Sequence, residues 1–108
     1  MTNQNNSSES EVRSLAQKSY IYILECCDNS LYTGWTNDLK LRCKVHQSGH
    51  GAKYTRTRIP VKLVYYEEFV DRGSAMRREV EIKAMPRHKK LELISQMAIP
   101  NFSVSSLD

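Results

Sequence analysis

Three short runs of apolar, aromatic and β-branched residues alternate with turn-forming segments, a pattern typical of β-strands. Residues 20–26 and 31–35 form two such runs, separated by four residues that include Asp28. Because Asx side chains favour turns, these two runs predict a β-hairpin. Residues 61–69 form the third run and follow Pro60, a position where proline is tolerated at the beginning of a strand. The pattern therefore predicts three strands.

The remaining periodic segments have the residue types of helices. Residues 39–47 follow Asp38, whose side chain suits a helix N-cap. A second helix is predicted to begin after Asp71, another N-cap residue, and to run up to Pro86. Pro86 prevents continuation of that helix and suits the first turn of a third helix over residues 87–97.

Residues 52–58, between the first helix and the third strand, are predicted to be a basic loop. The order is therefore β-β-α-β-α-α, which predicts an α+β fold with a three-stranded antiparallel sheet flanked by helices. The polar composition of residues 1–18 and 98–108 predicts two loose tails. One domain is expected over residues 19–97.

Length and composition narrow the class of protein. A chain of 108 residues fits one domain. Its longest apolar run, residues 20–24, is far shorter than the roughly 18 residues of a membrane helix. The first eighteen residues lack the apolar core of a signal peptide, so the expected compartment is the cytoplasm. Three cysteines fit neither a disulfide framework nor a four-cysteine zinc site, and they are expected to be mostly buried.

The positive charge is concentrated in one segment. The formal net charge is +4. Between positions 36 and 62 the only acidic residue is Asp38, and the basic residues are Lys40, Arg42, Lys44, Lys53, Arg56, Arg58 and Lys62. Such a segment indicates either binding of nucleic acid or phosphate, or a solvated face with no ligand. Charge alone leaves both interpretations open.

Two of the predicted helices place polar side chains on the face that should meet the sheet. Arg42 and His46 are four residues apart, so they stack on one face of the first helix, among apolar positions. In the second helix, Glu79 projects among apolar side chains that include Met76 and Val80. Charged groups aimed at a core are costly unless they are paired or functional.

Structural explanations are open for each residue taken singly. Arg42 and Glu79 can form a buried ion pair, Glu79 can bond to Lys83 one turn later, and His46 can be a hydrogen-bonded core histidine. Taken together, however, a guanidinium, an imidazole and a carboxylate face one small sheet. Phosphodiester cleavage needs an anion clamp, a proton acceptor and a carboxylate for a hard divalent ion. The sheet also carries three tyrosines, Tyr20, Tyr22 and Tyr32.

In order and spacing, these residues resemble the GIY-YIG nuclease superfamily. The matching positions are Tyr20-Ile21-Tyr22, Tyr32-Thr33-Gly34, Arg42, His46 and Glu79. Residues 51–56 and 77–83 resemble more closely its small stand-alone bacterial branch, the UPF0213 or YhbQ-like proteins. The resemblance implies a three-stranded antiparallel sheet flanked by helices, and hydrolysis at one divalent ion, Mg²⁺ or Mn²⁺.

The resemblance also implies roles for individual residues. Tyr22 and Tyr32 match the motif tyrosines, whose hydroxyls position or deprotonate the attacking water. Arg42 matches the arginine that neutralises the scissile phosphate, and Glu79 matches the carboxylate that holds the metal. His46 stands where the family has histidine or tyrosine, and it is expected either to act as a base or to position a tyrosine hydroxyl.

Two functions follow as hypotheses. The first is a divalent-metal-dependent endonuclease that hydrolyses nucleic acid, with DNA as the expected substrate and no membrane partner. The second is a catalytically weak or inactive nucleic-acid-binding module on the same fold. In both, basic side chains bind the phosphate backbone. Those expected to do so are Lys40, Lys44, Lys53, Arg56 and Arg58. If His46 accepts a proton, cleavage should rise between about pH 6 and 8.

Overall fold

The structure is a computed structural model that describes residues 18–97. Three strands form one antiparallel sheet: β1 (Ser19–Glu25), β2 (Leu31–Thr36) and β3 (Lys62–Phe69). Strand β1 lies in the middle and β2 and β3 lie at the edges, in the order β2-β1-β3. The helices are α1 (Leu39–Gln47), α2 (Lys53–Arg56), α3 (Arg72–Lys83) and α4 (Arg87–Met97).

The predicted fold class is confirmed, with one addition. Helix α2 occupies part of the segment that was predicted to be a basic loop over residues 52–58. It is a single turn, in which the amides of Thr55 and Arg56 both donate to the carbonyl of Ala52, at 3.1 and 3.0 Å. One turn is too short to show a 3.6-residue periodicity, so the sequence pattern does not reveal it. The tails predicted over residues 1–18 and 98–108 lie outside the described residues, except for Lys18.

Turn and capping chemistry places the elements as predicted. In the hairpin turn Asn29 adopts a positive φ of 68°, which asparagine tolerates, and the Ser30 amide donates to the Asp28 carboxylate at 3.0 Å. Asp38 caps α1 by accepting from the Leu41 amide at 3.1 Å. Asp71 caps α3 by accepting from the Ser74 amide at 2.7 Å.

Helices cover both faces of the sheet, because alternate side chains of β1 point to opposite sides. One face packs against α1 in a cluster of buried residues: Tyr22, Leu24, Cys26, Leu39, Cys43, Val61 and Leu63. The other packs against α3 and α4, with the buried residues Ile21, Ile23, Tyr65, Ala75 and Ile82. Side chains of α1 and α3 therefore approach the sheet from opposite sides.

The buried face of α3 differs from the predicted one. Ala75 and Ile82 are fully buried, whereas Met76 and Val80 are 42% and 66% exposed. Glu79 is nevertheless held close to the buried face, since its side chain is only 17% exposed. The expectation of an inward-facing carboxylate therefore holds, although two of its predicted apolar neighbours face solvent.

The cysteines largely match the expectation. Cys26 and Cys43 are buried, Cys27 is exposed, and all three are free thiols. Within residues 18–97 no helix combines the length and the apolar composition needed to cross a bilayer.

Candidate active site

The centre of the candidate site is a buried hydroxyl–imidazole pair. Tyr22, in the middle of β1, is 1% exposed, and His46, in the last turn of α1, is fully buried. The Tyr22 Oη and His46 Nε2 atoms lie 2.9 Å apart. On its other side, His46 Nδ1 lies 2.7 Å from the Thr55 hydroxyl. Both ring nitrogens of His46 are therefore hydrogen-bonded inside the protein.

Arg42 lies beside this pair, one helical turn before His46. Its positive charge is close enough to the Tyr22 hydroxyl to affect the pKa of that group. Burial raises the pKa of Tyr22, and Arg42 partly opposes that effect. Burial, helped by the Arg42 charge, lowers the pKa of His46 to about 4. At neutral pH the site therefore contains a protonated tyrosine and an uncharged imidazole.

The low pKa of His46 changes the pH dependence expected from the sequence. His46 does not titrate between pH 6 and 8 in the folded protein, because its pKa is about 4. A rise of cleavage over that range therefore has to come from another group. The structure favours His46 as a hydrogen-bond acceptor that positions Tyr22 over His46 as a free base that loses a proton near neutrality.

The same pKa predicts how stability depends on pH. A histidine titrates at about 6.5 when unfolded, so the unfolded chain binds more protons than the folded one between about pH 6.5 and 4. The stabilisation from keeping His46 neutral is fully present above pH 6.5, and the free energy of unfolding falls by roughly 3 kcal/mol as the pH falls from 6.5 to 4. The unfolding temperature should fall more steeply over this range for wild type than for His46→Phe. Equal slopes would contradict a buried neutral His46, and His88→Phe, at an exposed histidine, is the control.

Two glycines allow this close packing. A Cβ atom on Gly34 would lie 2.5 Å from the Tyr22 hydroxyl oxygen, and one on Gly51 would overlap the His46 ring. Any larger residue at either position would have to displace the tyrosine or the imidazole. Gly34 belongs to the Tyr32-Thr33-Gly34 motif. The close approach of the Tyr22 hydroxyl explains why this position of the motif is a glycine.

Tyr32 connects the buried pair to an aromatic surface. Its ring centroid lies 5.2 Å from that of His46 and 6.4 Å from that of Tyr22. On its other side it stacks with Tyr54 of α2, with centroids 6.1 Å apart and planes 21° from parallel. The rings thus form a continuous row from the core to α2.

Arg58 supports this row. Its guanidinium lies 3.9 Å from the centre of the Tyr54 ring, donates to the Tyr54 carbonyl at 2.8 Å and pairs with Asp28 at 3.1 Å. These contacts occupy much of the donor capacity of Arg58, which was predicted to bind nucleic acid. The structure therefore gives Arg58 a local structural role that the sequence did not indicate.

The other predicted nucleic-acid contacts lie at the surface near the site. Lys40 and Lys44 are exposed on α1, and Lys53 and Arg56 are exposed on α2. Lys40 and Lys44 are two positions before Arg42 and His46, about 200° around α1, so they project from the side of the helix away from the buried pair. Lys53 and Arg56 lie on the same helical turn as Thr55. All four cations are exposed and therefore accessible to a phosphate backbone.

Salt dependence tests this basic surface. The double variant Lys53→Ala/Arg56→Ala should weaken binding to any nucleic-acid sequence about equally. It should also flatten the plot of log affinity against log salt by roughly 0.7–0.9 per lost contact. Lys62→Ala serves as a control, since Lys62 pairs with Glu25 at 3.4 Å. An unchanged slope in the double variant would show that these side chains form only a solvated face.

A groove of about 250 Å³ runs along the free edge of β2, where the two faces of the sheet meet. It is lined by Leu31, Tyr32, Thr33, Tyr54, Lys83 and Lys90. The Thr33 hydroxyl is buried and has no hydrogen-bond partner within the described part of the chain. Lys83 and Lys90 come from α3 and α4, so this groove joins the Tyr32 side of the sheet to the α3 side.

Glu79 belongs to the α3 side. Its Oε2 atom lies 3.2 Å from the Lys83 ammonium. Of the two ion pairs left open by the sequence, the structure forms Glu79–Lys83, and residues 18–97 show no pair between Glu79 and Arg42. The structure thus brings Tyr22, Tyr32, Arg42 and His46 together on one face of the sheet. Glu79 lies on the other face, and Lys83 connects it to the groove that Tyr32 lines.

Comparison with known proteins agrees with this geometry. Residues 18–92 match the family described as the GIY-YIG catalytic domain. The chain belongs to the GIY-YIG family. The UPF0213 protein CPE1444 of Clostridium perfringens is 57% identical over 81 residues, 75% of this chain and 87% of the relative. The UPF0213 protein SH2523 of Staphylococcus haemolyticus is 53% identical over 79 residues, 73% of this chain and 96% of the relative.

Two solved structures have the same fold as this chain. The solution NMR structure of the UPF0213 protein BH0048 from Bacillus halodurans is 49% identical to this chain. The match covers 77% of this chain and 88% of the BH0048 chain, with a TM-score of 0.52. The solution NMR structure of the protein EF2693 from E. faecalis is 35% identical, with a TM-score of 0.53, covering 75% of this chain and 86% of its own. The predicted family, UPF0213 branch and fold class are confirmed.

Domains of the GIY-YIG family typically use one divalent metal, and Glu79 fits a site of that kind. Mg²⁺ is commonly held by one or two carboxylates, substrate phosphates and water. Among residues 18–97 there is no cluster of three His, Cys, Asp or Glu side chains, so Glu79 would hold the ion with at most one other such side chain. The Lys83 ammonium beside it shows that the carboxylate already accommodates a cation.

Several residues of this GIY-YIG site were missed by sequence reasoning. Thr55 lies in a charged segment and shows no feature that distinguishes it from an exposed threonine. Lys83 and Lys90 follow a helical spacing typical of solvated faces, and their convergence at β2 depends on the angle between α3 and α4. Gly51, Thr55 and Lys83 are part of the segments resembling the UPF0213 branch, but the resemblance implied no role for any of them.

Proposed function

We propose that this protein is a divalent-metal-dependent endonuclease that hydrolyses phosphodiester bonds in nucleic acid, with DNA as its substrate. The observation that carries the proposal is the buried Tyr22–His46 pair with the Arg42 guanidinium beside it. A hydroxyl, an uncharged imidazole and a fixed cation are groups that hydrolysis of a phosphate diester uses.

A purely structural explanation accounts poorly for Arg42. A histidine that only fills the core gains nothing from a neighbouring cation, which makes protonation of the imidazole still less favourable. Arg42 also opposes the rise in the pKa of Tyr22 and so favours loss of the hydroxyl proton. A fixed cation at this position is useful where negative charge grows on the tyrosine oxygen and on a phosphate beside it.

The geometry supports a proton relay. Attacking water would donate a hydrogen bond to the Tyr22 oxygen. As the water oxygen bonds to phosphorus, Tyr22 takes up the water proton and passes its own proton to His46 Nε2, 2.9 Å away. The P–O bond on the opposite side of phosphorus breaks, and its oxygen leaves with the electron pair and takes a proton from solvent. Because burial raises the pKa of Tyr22, the tyrosine acts from its neutral form and needs His46 as the acceptor.

The charged residues complete the proposed site. Arg42 would stabilise the negative charge that grows on the phosphoryl oxygens, and Tyr32 would contact the nucleotide next to the scissile phosphate. Glu79 would hold the Mg²⁺ or Mn²⁺ ion, which when bound supplies Lewis-acid stabilisation of the phosphoryl group. For this, the Glu79–Lys83 contact opens and the Lys83 ammonium becomes available to a phosphate in the groove.

The nucleic-acid strand would pass between two basic regions. One is formed by Lys40, Lys44, Lys53 and Arg56, and the other by Lys83 and Lys90 in the β2 groove. These side chains contact phosphates and carry no base-specific information, so recognition of backbone or structure is proposed. The free thiols of Cys26, Cys27 and Cys43 suit the reducing cytoplasm, the proposed compartment.

Incubation with labelled nucleic acids tests the proposal. Single-stranded, duplex and branched DNA and RNA are each incubated with purified protein in Mg²⁺, in Mn²⁺ and in excess chelator. Cleavage of at least the DNA is expected with metal and not with chelator. Tyr22→Phe, which removes only the relay hydroxyl, controls for a contaminating nuclease. Binding without cleavage under every metal condition would instead establish the nucleic-acid-binding module.

A further inference from the structure

The His46 ring is held from behind by a residue to which no role has been assigned. Thr55 lies on the one-turn helix α2 and is fully buried. Its hydroxyl is 2.7 Å from His46 Nδ1 and 3.1 Å from the carbonyl oxygen of Ala52. A hydrogen-bonded chain therefore runs from Tyr22 through His46 and Thr55 to a backbone carbonyl.

The direction of this chain follows from counting donors and acceptors. The Tyr22 proton needs an acceptor, and the nearby Arg42 can only donate. Within hydrogen-bonding distance that acceptor is His46 Nε2. A neutral imidazole that accepts at Nε2 carries its proton on Nδ1.

The hydrogen bonds of Thr55 run in the same direction. The Nδ1 proton is donated to the Thr55 oxygen, and the Thr55 proton is donated to the Ala52 carbonyl, which is only an acceptor. In the reverse direction His46 would donate from Nε2 to Tyr22. The Tyr22 proton would then have no acceptor, because the nearby Arg42 cation can only donate. Because buried polar groups are rarely left unsatisfied, the first direction is the stable one.

We propose that Thr55 is a positioning residue that fixes the Nδ1-protonated tautomer of His46 and thereby makes Nε2 the acceptor for the Tyr22 proton. Its consequence for cleavage rests on the proposed nuclease function. The tautomer itself does not, since it is a property of the folded protein without substrate.

Removing the Thr55 hydroxyl should change both the tautomer and the rate. In Thr55→Val the Nδ1 proton has no acceptor, so the Nε2-protonated form is favoured and Nε2 can no longer accept from Tyr22. The kcat for cleavage should fall about 10- to 100-fold, the range found when a partner that orients a functional histidine is removed. KM should change little, because Thr55 does not touch the substrate.

Three further variants separate positioning from a general loss of structure. Thr55→Ser keeps the hydroxyl and should restore the wild-type tautomer, and kcat to within a few-fold. Thr57→Val makes the same chemical change at an exposed position two residues away and should leave both unchanged. Thr55→Ala removes the hydroxyl without placing a methyl group against the imidazole, and it replaces Thr55→Val if that variant is unfolded.

The deciding experiment is ¹⁵N NMR of the His46 ring at neutral pH, which reports directly which nitrogen is protonated. Wild type and Thr55→Ser are expected to be protonated at Nδ1, and Thr55→Val or Thr55→Ala at Nε2 or in a mixture. A wild-type ring protonated at Nε2, or the same Nδ1 tautomer without the hydroxyl, would overturn the proposal. Absence of cleavage by wild type would contradict the nuclease function and leave this NMR result to decide the role of Thr55.

Discussion

Glu79→Gln is expected to abolish metal-dependent cleavage. Glutamine has the same shape as glutamate but is uncharged, and a hard divalent cation binds a neutral amide oxygen far more weakly than a carboxylate. Residues 18–97 contain no cluster of three potential metal ligands, so at most one other such side chain can stand beside Glu79 to compensate. Cleavage with Mn²⁺ should therefore fall to background. Binding to DNA should persist or strengthen, since a negative charge next to the phosphate is removed.

The stability of Glu79→Gln should change by less than about 1 kcal/mol. A structural partner of a buried arginine would cost roughly 3–5 kcal/mol when removed. Here the partner is Lys83, whose side chain is 53% exposed, and an exposed helical pair of this spacing contributes about 0.3–0.5 kcal/mol. Glu81→Gln is the matched control, because Glu81 is an exposed, ion-paired glutamate of the same helix. Thermal unfolding and cleavage of the three proteins give a complete comparison.

Arg42→Ala is expected to reduce cleavage by about 10²- to 10³-fold. A preorganised donor next to developing negative charge contributes on that scale, and Arg42 lies against the Tyr22 hydroxyl at which the proposed reaction begins. Single-turnover cleavage rates of wild type and Arg42→Ala measure the effect. Arg87→Ala, at an exposed arginine on α4, should cleave at the wild-type rate.

Folding of Arg42→Ala distinguishes catalysis from structure. Arg42 is half-buried and forms no ion pair with Glu79, so its loss leaves no uncompensated charge in the core. The variant should remain folded, and the fall in rate should persist at temperatures well below unfolding. A large fall in thermal stability together with wild-type cleavage by the folded fraction would show that Arg42 is structural.

The sequence predicted the site residues best where helical geometry determines them. Arg42 and His46 lie four residues apart in a capped helix, so their position on the inner face follows from the helical repeat alone. Tyr22 and Tyr32 lie on strands whose pattern is unambiguous. For these four residues the sequence predicted the element, and for Arg42 and His46 it also predicted the inward-facing side.

Tertiary packing determined what the sequence did not show. The pattern around Glu79 predicted an apolar face that includes Met76 and Val80, but α3 is rotated so that both are exposed. The sequence also gave no sign that α1 and α3 lie on opposite faces of the sheet. Glu79 consequently meets the rest of the site only around the free edge of β2, through Lys83 and the groove that contains Tyr32.

Hydrogen bonds over long sequence separation were also invisible. The role of Thr55 depends on a single helical turn that places it against His46, nine positions earlier. Arg58 looked like a free cation of the basic segment, but it is held by Asp28 across 30 positions. Such pairs depend on the path of the chain between the elements, which residue type and spacing do not encode.

The most direct test of the proposed mechanism is cleavage of end-labelled DNA by wild type and Glu79→Gln, side by side, in Mn²⁺ and in excess chelator. We expect fragments only for wild type with Mn²⁺, with the variant folded and still bound to DNA. Cleavage by Glu79→Gln at the wild-type rate would contradict the one-metal mechanism, and fragments that persist in chelator would contradict metal dependence itself.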